Sequence, residues 1–272
     1  QGANCVALGQ QAGETSQGET SIAIGWNAGK TNQTSPAIGI GHYAGGTDQG
    51  ASAVAVGQQA GRTSQGQFSI GIGSFAGYSS QGTGSISIGR DSGKTSQGSM
   101  GIAIGTEAGR FKQEQNCIAI GTKAGDDFQH YNAIAMGFDA GFNNQGYHSV
   151  AIGTDAGRWQ QGNESVSIGK STGMTGQSSY CVAIGRNAGQ TNQNTEAVAV
   201  GQQSGKTSQG QFSVAVGAFA GYTSQGTGSI ALGYGAGQTG QGENCIAIGY
   251  EAGQNQKNPL AIAIGSQAGR TN

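Results

Sequence analysis

Apolar and polar positions along the 272-residue chain repeat with a period of 16 residues. When each unit is counted from Gln1, position 6 is Val or Ile, position 8 is Ile, Val, Leu or Met, and position 7 between them is Ala, Gly or Ser. This alternation of β-branched and small side chains is typical of a β-strand, and 16 residues are too few for a helical hairpin repeat. The sequence therefore predicts an all-β fold, a parallel β-solenoid (β-roll or β-helix) of 17 sixteen-residue coils with two strands per coil.

Turns are marked by glycine. Position 9 and position 13 are Gly in every unit, which indicates a positive φ or a close backbone approach at each of these places. A second, more polar strand with the pattern x-Thr-x-Gln follows the turn, and Gln occupies position 1 in 16 units, the exception being Lys257. We expect neighbouring coils to pair in register at about 4.8 Å.

The strand pattern predicts which side chains are buried. We expect the aliphatic residues at positions 6 and 8 to point inward, with the Ala at position 12 closing the corner. The uniformly small residues at positions 5, 7 and 9 then face another surface, which predicts a homo-oligomer, with a trimer as the favoured order. The alternative arrangement places the small residues inside and the aliphatic residues against a partner.

The glutamine column suggests a second source of stability. A Gln repeated at one place in parallel coils can stack its side-chain amides into a hydrogen-bonded ladder. The alternative is a solvated polar strand.

Composition excludes several classes of function. Charged residues make up only 10% of the chain and the net charge is −1, so there is no basic footprint for nucleic acid. The sequence has no run of 18 apolar residues, so we expect no segment that spans a membrane. The three His residues have no nucleophile or carboxylate at a repeated offset, so we expect no enzymatic activity, no cofactor and no metal site.

All four cysteines, Cys5, Cys117, Cys181 and Cys245, occupy position 5, which is otherwise Ser, Ala or Gly. We interpret them as small fillers. The nearest pair is four coils apart, about 19 Å at the strand spacing, which is too far for an intrachain disulfide. Free thiols favour a chain assembled in a reducing compartment.

The phrase Ser-Ile-Ala-Ile-Gly at residues 21–25, and its variant at 149–153, resembles the repeats in the head domains of trimeric autotransporter adhesins. It is similar also to repeat arrays in fibre proteins of bacteriophages and large DNA viruses. The resemblance covers the whole chain. It implies a left-handed parallel β-roll and a homotrimeric surface fibre that binds a host or a substratum.

Variable positions suggest where a contact could lie. Positions 3, 4, 10, 11, 14 and 16 vary freely and are expected to form an outward rim. Aromatic residues gather on this rim between coils 7 and 10, where Thr disappears from position 15, and rings of this kind stack on sugars or partner surfaces. The candidate contact belt, for a cell-surface glycan or receptor, is Phe111, Phe128, Tyr131, Phe142, Tyr147 and Trp159. A local repacking or an oligomer seam is the alternative interpretation.

Two classes of function fit the repeat. The first is a structural fibre or shaft for attachment, at a virion surface or on the outside of a cell, with residues 1–272 forming one continuous shaft segment of a longer fibre. The second is an ice-binding solenoid, because Thr occupies position 15 in 11 units. Its column is interrupted at Phe111, Asp127, Asn143, Trp159 and Asn255, which would roughen a flat hydroxyl array.

Overall fold

The computed structural model describes residues 1–270, and these residues form strands and turns without any helix. Every strand is three residues long and lies parallel to its neighbours in adjacent coils. The fold is a parallel β-solenoid with two strands in most coils, which confirms the prediction. Two compact units can be distinguished, Gln1–Ala133 and Ile134–Asn272.

The first unit consists of two parallel sheets. We call the strands at positions 6–8 aliphatic strands and those ending at the repeated Gln glutamine strands. The aliphatic strands are Val6–Leu8, Ile22–Ile24, Ile38–Ile40, Val54–Val56, Ile70–Ile72, Ile86–Ile88, Ile102–Ile104 and Ile118–Ile120. The glutamine strands are Thr15–Gln17, Thr31–Gln33, Thr47–Gln49, Thr63–Gln65, Ser79–Gln81, Thr95–Gln97, Phe111–Gln113 and Asp127–Gln129.

The second unit repeats this arrangement. Its aliphatic strands are Ile134–Met136, Val150–Ile152, Val166–Ile168, Val182–Ile184, Val198–Val200, Val214–Val216, Ile230–Leu232, Ile246–Ile248 and Ile262–Ile264. Its glutamine strands are Asn143–Gln145, Trp159–Gln161, Thr175–Gln177, Thr191–Gln193, Thr207–Gln209 and Thr223–Gln225, after which a single bridge joins Thr223 to Thr239. Pairing is in register at every step, as where Val182, Ala183 and Ile184 lie beside Val198, Ala199 and Val200.

Small side chains, and not the aliphatic ones, fill the interior. Ala23 at position 7, Ala28 at position 12 and Ser21 at position 5 are fully buried, and the same positions are buried in nearly every coil. Ile40 and Ile184 at position 8 keep 37% and 38% of their surface exposed. The expectation that positions 6 and 8 point into the core is wrong, because the space between the two sheets is taken by Ala, Ser and Gln. The alternative, with small residues inside, describes the burial.

The repeated glutamines cross this interior and join the two sheets of each coil. Gln33 donates a hydrogen bond from Nε2 to the carbonyl of Ile22 at 2.9 Å, and Gln49 makes the same bond to Ile38 at 2.7 Å. Both side chains are fully buried. Buried amides are stable only when they are hydrogen-bonded, so each Gln ties the glutamine strand to the aliphatic strand opposite. The interpretation of the column as a solvated strand is wrong.

A ladder between glutamines exists at some steps. Nε2 of Gln33 donates to Oε1 of Gln49 at 3.0 Å, and Gln97 and Gln177 make the corresponding bonds to the next coil at 3.1 and 3.0 Å. Elsewhere the second amide hydrogen is directed to a strand carbonyl, as from Gln193 to Ala197 at 2.9 Å. The main role of the column is thus to bridge the two sheets, and the ladder reinforces it locally.

This bridge explains the invariant Gly at position 13. Gly61 has a φ of +51°, and a Cβ there would lie 2.5 Å from Oε1 of Gln65. Position 9 has a different reason: Gly25 has a φ of +126°, and its Cβ would lie 2.6 Å from the carbonyl oxygen of Gly41 in the next coil. One glycine makes room for the amide and the other lets successive backbones stack.

At three further positions in most coils, residues other than Gly have a backbone conformation in the left-handed region. Positions 4, 11 and 16 have positive φ, for example 55° at Asn27, 53° at Ser64 and 54° at Phe128. Gly, Asn and Asp tolerate this conformation best, and these residues are frequent at the three positions together with Ser. The variability of the rim is therefore limited by backbone conformation as well as by exposure.

Replacing Gln97 with Leu tests the amide bridge. The substitution removes bonds from Nε2 to Ile86 O at 3.0 Å and to Gln113 Oε1 at 3.1 Å, and strands the Ser87 hydroxyl that donates to Gln97 Oε1 at 2.7 Å. We expect a loss of about 3 kcal/mol in the free energy of unfolding, because buried partners are left unsatisfied. Chemical denaturation measures it.

The matched control is Gln58→Leu, the same substitution at an exposed rim position, where we expect a change within about 0.5 kcal/mol. Equal losses for the two variants would contradict the bridge.

Candidate functional site

The outward side chains at positions 6 and 8 form the largest uniform surface of each unit, which we call the aliphatic face. Position 8 is exposed by 36–39% in Ile72, Ile88, Ile152, Ile168 and Ile248. In-register pairing stacks like positions on one another, so the face consists of two parallel ladders of Ile and Val spaced by one strand separation. No charged or polar residue occurs at either position in the whole sequence.

An exposed apolar surface of this regularity needs an explanation. Single exposed Ile residues are ordinary, whereas contiguous apolar patches larger than a few hundred Å² mark interaction surfaces. In each coil the aliphatic face is three residues long along the strand and one strand separation wide, which is an area of about 50 Å². The aliphatic face of each unit therefore covers roughly 400 Å². The aliphatic face of either unit therefore reaches the size at which a functional contact is expected.

The contact belt is divided between the two units. In the first unit Phe111 and Phe128 are 40% and 42% exposed, and each carries a cation over its ring. The Arg110 guanidinium carbon lies 4.5 Å from the centre of the Phe111 ring, and Lys112 Nζ lies 5.0 Å from that of Phe128. Tyr131 is exposed as predicted. The rings of Phe111 and Phe128 are thus partly covered by long basic side chains.

In the second unit the structure brings Phe142 and Trp159 together. Their ring centres are 5.1 Å apart in an edge-to-face arrangement, and Arg158 lies over both rings at 5.7 and 5.5 Å. Such a geometry is favourable for aromatic pairs. Tyr147 is exposed on the surface of the same unit. The belt residues of this unit include a packed cluster, which supports local repacking as one part of their role.

Carboxylates pair with the two arginines that lie over rings of the belt. Arg110 is paired with Asp126 at 2.9 Å and with Glu107 at 3.2 Å. Burial raises the pKa of Asp126 to about 6, and the neighbouring Arg110 charge opposes that rise. In the second unit Arg158 is paired with Asp139 at 2.9 Å and with Asp155 at 3.2 Å. The two arginines that lie over belt rings are therefore held in place by ion pairs within their own units.

Aromatic residues at position 10 form ladders that the sequence analysis missed. Trp26 and His42 stack at 4.7 Å with ring planes 14° apart, and Tyr234 and Tyr250 stack at 5.5 Å with planes 10° apart. The signal was the recurrence of aromatic residues at one unit position in consecutive coils. Each ring covers one face of its partner, and Trp26, Tyr234 and Tyr250 are still 50% exposed.

The threonine column lies on the glutamine sheets, on the side of each unit away from the aliphatic strands. Thr15, Thr31, Thr47 and Thr63 pair in register in the first unit. A second run in the second unit consists of Thr175, Thr191, Thr207 and Thr223. The first run spans four coils, and the second reaches a fifth coil at Thr239, which is bridged to Thr223.

The cysteines lie where the small-filler interpretation placed them. Cys117, Cys181 and Cys245 are buried free thiols, and Cys5 is half-buried. Cys117 Sγ donates to the carbonyl of His130 at 2.8 Å, and burial raises the pKa of this thiol to about 11. Such thiols are poor nucleophiles.

Other kinds of site have little support within residues 1–270. No three His, Cys, Asp or Glu side chains there come close enough together to hold a metal ion. The same residues contain no helix that could cross a membrane. Neither a family model nor a curated protein sequence matches the chain.

Trp159→Ala tests whether the belt cluster contributes to stability. The variant loses the edge contact with Phe142 and the contact with Arg158, so we expect the melting temperature to fall by about 2 °C, equivalent to about 1 kcal/mol. Differential scanning calorimetry measures the shift. The control is Phe138→Ala, because Phe138 is 51% exposed and lies outside the ring contacts described above. A Trp159 variant as stable as the control would show that the cluster is unimportant for folding.

Proposed function

We propose that this chain is a structural, non-enzymatic repeat protein that forms the shaft of a surface fibre by associating with copies of itself through the aliphatic face. The favoured assembly is a homotrimer in which the aliphatic faces converge. The role is attachment, at a virion surface or on the outside of a cell.

The observation that carries this proposal is the inversion of the usual burial pattern. Each coil buries Ala, Ser and Gln and leaves its largest aliphatic side chains on the surface. Exposed aliphatic side chains gain about 25 cal/mol per Å² when they leave water. Association of copies buries these exposed aliphatic side chains, and this burial is then the main source of association energy.

Size supports the same conclusion. Stable protein interfaces bury about 800 Å² per partner, and the aliphatic face of each unit by itself supplies about half of that area at the strand spacing. A net charge of −1 adds little repulsion between copies. A partner without this repeat could not match the spacing of the aliphatic side chains over several coils. A second copy of the chain has the same spacing.

The contact belt is the candidate surface for a glycan or a receptor. Five of its six rings are exposed at about two-fifths of their surface, Phe142 being half-buried, and cations lie over the rings of Phe111, Phe128, Phe142 and Trp159. Sugars and acidic groups bind to such combinations of ring and charge. The packed cluster around Trp159 supports a structural role beside this one.

Double substitution of the aliphatic face tests self-association. Ile168→Lys with Ile184→Lys places two charges where a partner would bury them, so we expect the oligomer to dissociate to monomers that keep the β-sheet circular dichroism spectrum. Sedimentation equilibrium gives the mass. Thr175→Lys with Thr191→Lys changes the opposite sheet in the same two coils and should leave the mass unchanged. A wild-type chain that is monomeric at all concentrations would contradict the proposal.

A second candidate is ice binding, favoured by the two in-register runs of four and five Thr residues. A thermal-hysteresis assay separates it from the fibre role. We expect no hysteresis, because each run presents one rank of hydroxyls beside residues of positive φ at position 16, which makes a narrow and uneven plane. Measurable hysteresis that is lost in Thr191→Lys would favour ice binding.

A further inference from the structure

The charges that border the aliphatic face of the second unit are sorted by sign. Positions 3 and 4, in the turn before each aliphatic strand, carry Glu164, Glu196 and Glu243 and no Lys or Arg. Position 10, in the turn after the strand, carries Lys170 and Arg186 and no acid. All five side chains are exposed. One border of the face is therefore acidic and the other is basic.

These five charged residues have no ion-pair partner among the described residues of the chain. The acids at position 11, next to the basic border, do have partners. Asp139 and Asp155 at position 11 are paired with Arg158, and Glu251 is paired with Arg270 at 3.4 Å. The carboxylates of position 11 are thus compensated within the unit. The uncompensated charge lies at the two borders of the aliphatic face.

We infer that the sorted borders select one relative direction of two copies of this chain, with their coils stacked in parallel. The inference rests on the proposed self-association through the aliphatic face. Rotation about the direction in which coils stack places the position 10 border of one copy against the position 3 and 4 border of the next, in a two-fold or a three-fold assembly alike. Basic residues then meet acidic ones.

The opposite arrangement is penalised. When two faces meet with their coils running in opposite directions, each border lies against the same border of the partner. Lys170 and Arg186 then face a border whose charged residues are all basic, and Glu164 and Glu196 face one whose charged residues are all acidic. Like charges across an interface suppress the wrong arrangement even where the apolar contact is the same.

Particular pairs follow from the register. Lys170 and Glu164 belong to the same coil, so a parallel assembly with like coils at one level brings Lys170 of one copy to Glu164 of the other. Arg186 lies one coil before Glu196, an offset of about 4.8 Å that the long Arg side chain can span. Because rotation generates each pair at every interface of the assembly, a few residues are enough to set the direction.

Spin labels on the glutamine sheet measure the direction. We would introduce Thr175→Cys or Thr223→Cys, three coils apart, in a chain with Cys5→Ser, because the other three cysteines are buried. In a parallel assembly the distance between like labels is the same for both sites. In an antiparallel one the two distances differ by up to about 29 Å, twice the spacing of three coils.

Charge reversal tests the cause. Lys170→Glu with Arg186→Glu makes both borders acidic, and we expect the dissociation constant of the assembly to rise about tenfold. Adding Glu164→Lys and Glu196→Lys exchanges the two borders and should restore the constant to within about threefold of wild type. Double electron–electron resonance and sedimentation equilibrium are the two measurements.

Each outcome has a distinct meaning. Equal label distances together with the loss and recovery of affinity support the inference. An oligomer whose label distances differ, or one whose affinity is the same in all three chains, overturns the sorted borders and leaves self-association standing. A monomeric wild-type chain overturns the proposed function and this inference with it.

Discussion

The hydrogen bond from a buried glutamine amide to the strand opposite is the interaction on which the rest of this solenoid depends. A coil of 16 residues with three-residue strands encloses too little space for two layers of large aliphatic side chains. A Gln that reaches from one sheet to the other fills that space and donates its amide hydrogens across it, as Gln33 Nε2 does to the carbonyl of Ile22 and to Oε1 of Gln49. This bridge requires Gly at position 13, because a Cβ there would collide with the amide.

The same constraint determines the outside of the molecule. Since the interior is filled by Ala, Ser, Cys and Gln, with Thr172 at one corner, the strand's aliphatic β-branched residues lie on the outer face of their sheet. They still serve the strand, because β-branched side chains favour extended backbone and pack along a ladder. Their exposure in every coil connects the narrow interior to the proposed assembly, and the sorted charges at the borders then give that assembly a direction.

Much of the fold could be predicted from the sequence, since the period, the two strands and the glycine turns all follow from invariant spacing. The side of the strand that faces inward could not, because alternation distinguishes two faces without saying which is buried. The usual preference for buried Ile and Val was misleading here; the small residues at positions 5, 7 and 12 together with the Gln column were the better guide to a narrow interior. Phe142 and Trp159 were predicted as belt residues, with local repacking as the alternative, but their contact with each other and with Arg158 was not predicted, since unit positions do not report ring contacts.

Hydrogen exchange of the glutamine side-chain amides tests this account most directly. Nuclear magnetic resonance resolves the Nε2 hydrogens of Gln at position 1, such as Gln33 and Gln193, from those of exposed Gln at position 10, such as Gln58 and Gln202. If the amide bridge holds the sheets together, the buried set exchanges at least a hundredfold more slowly than the exposed set, which corresponds to about 2.7 kcal/mol of protection. Equal rates for the two sets would contradict it.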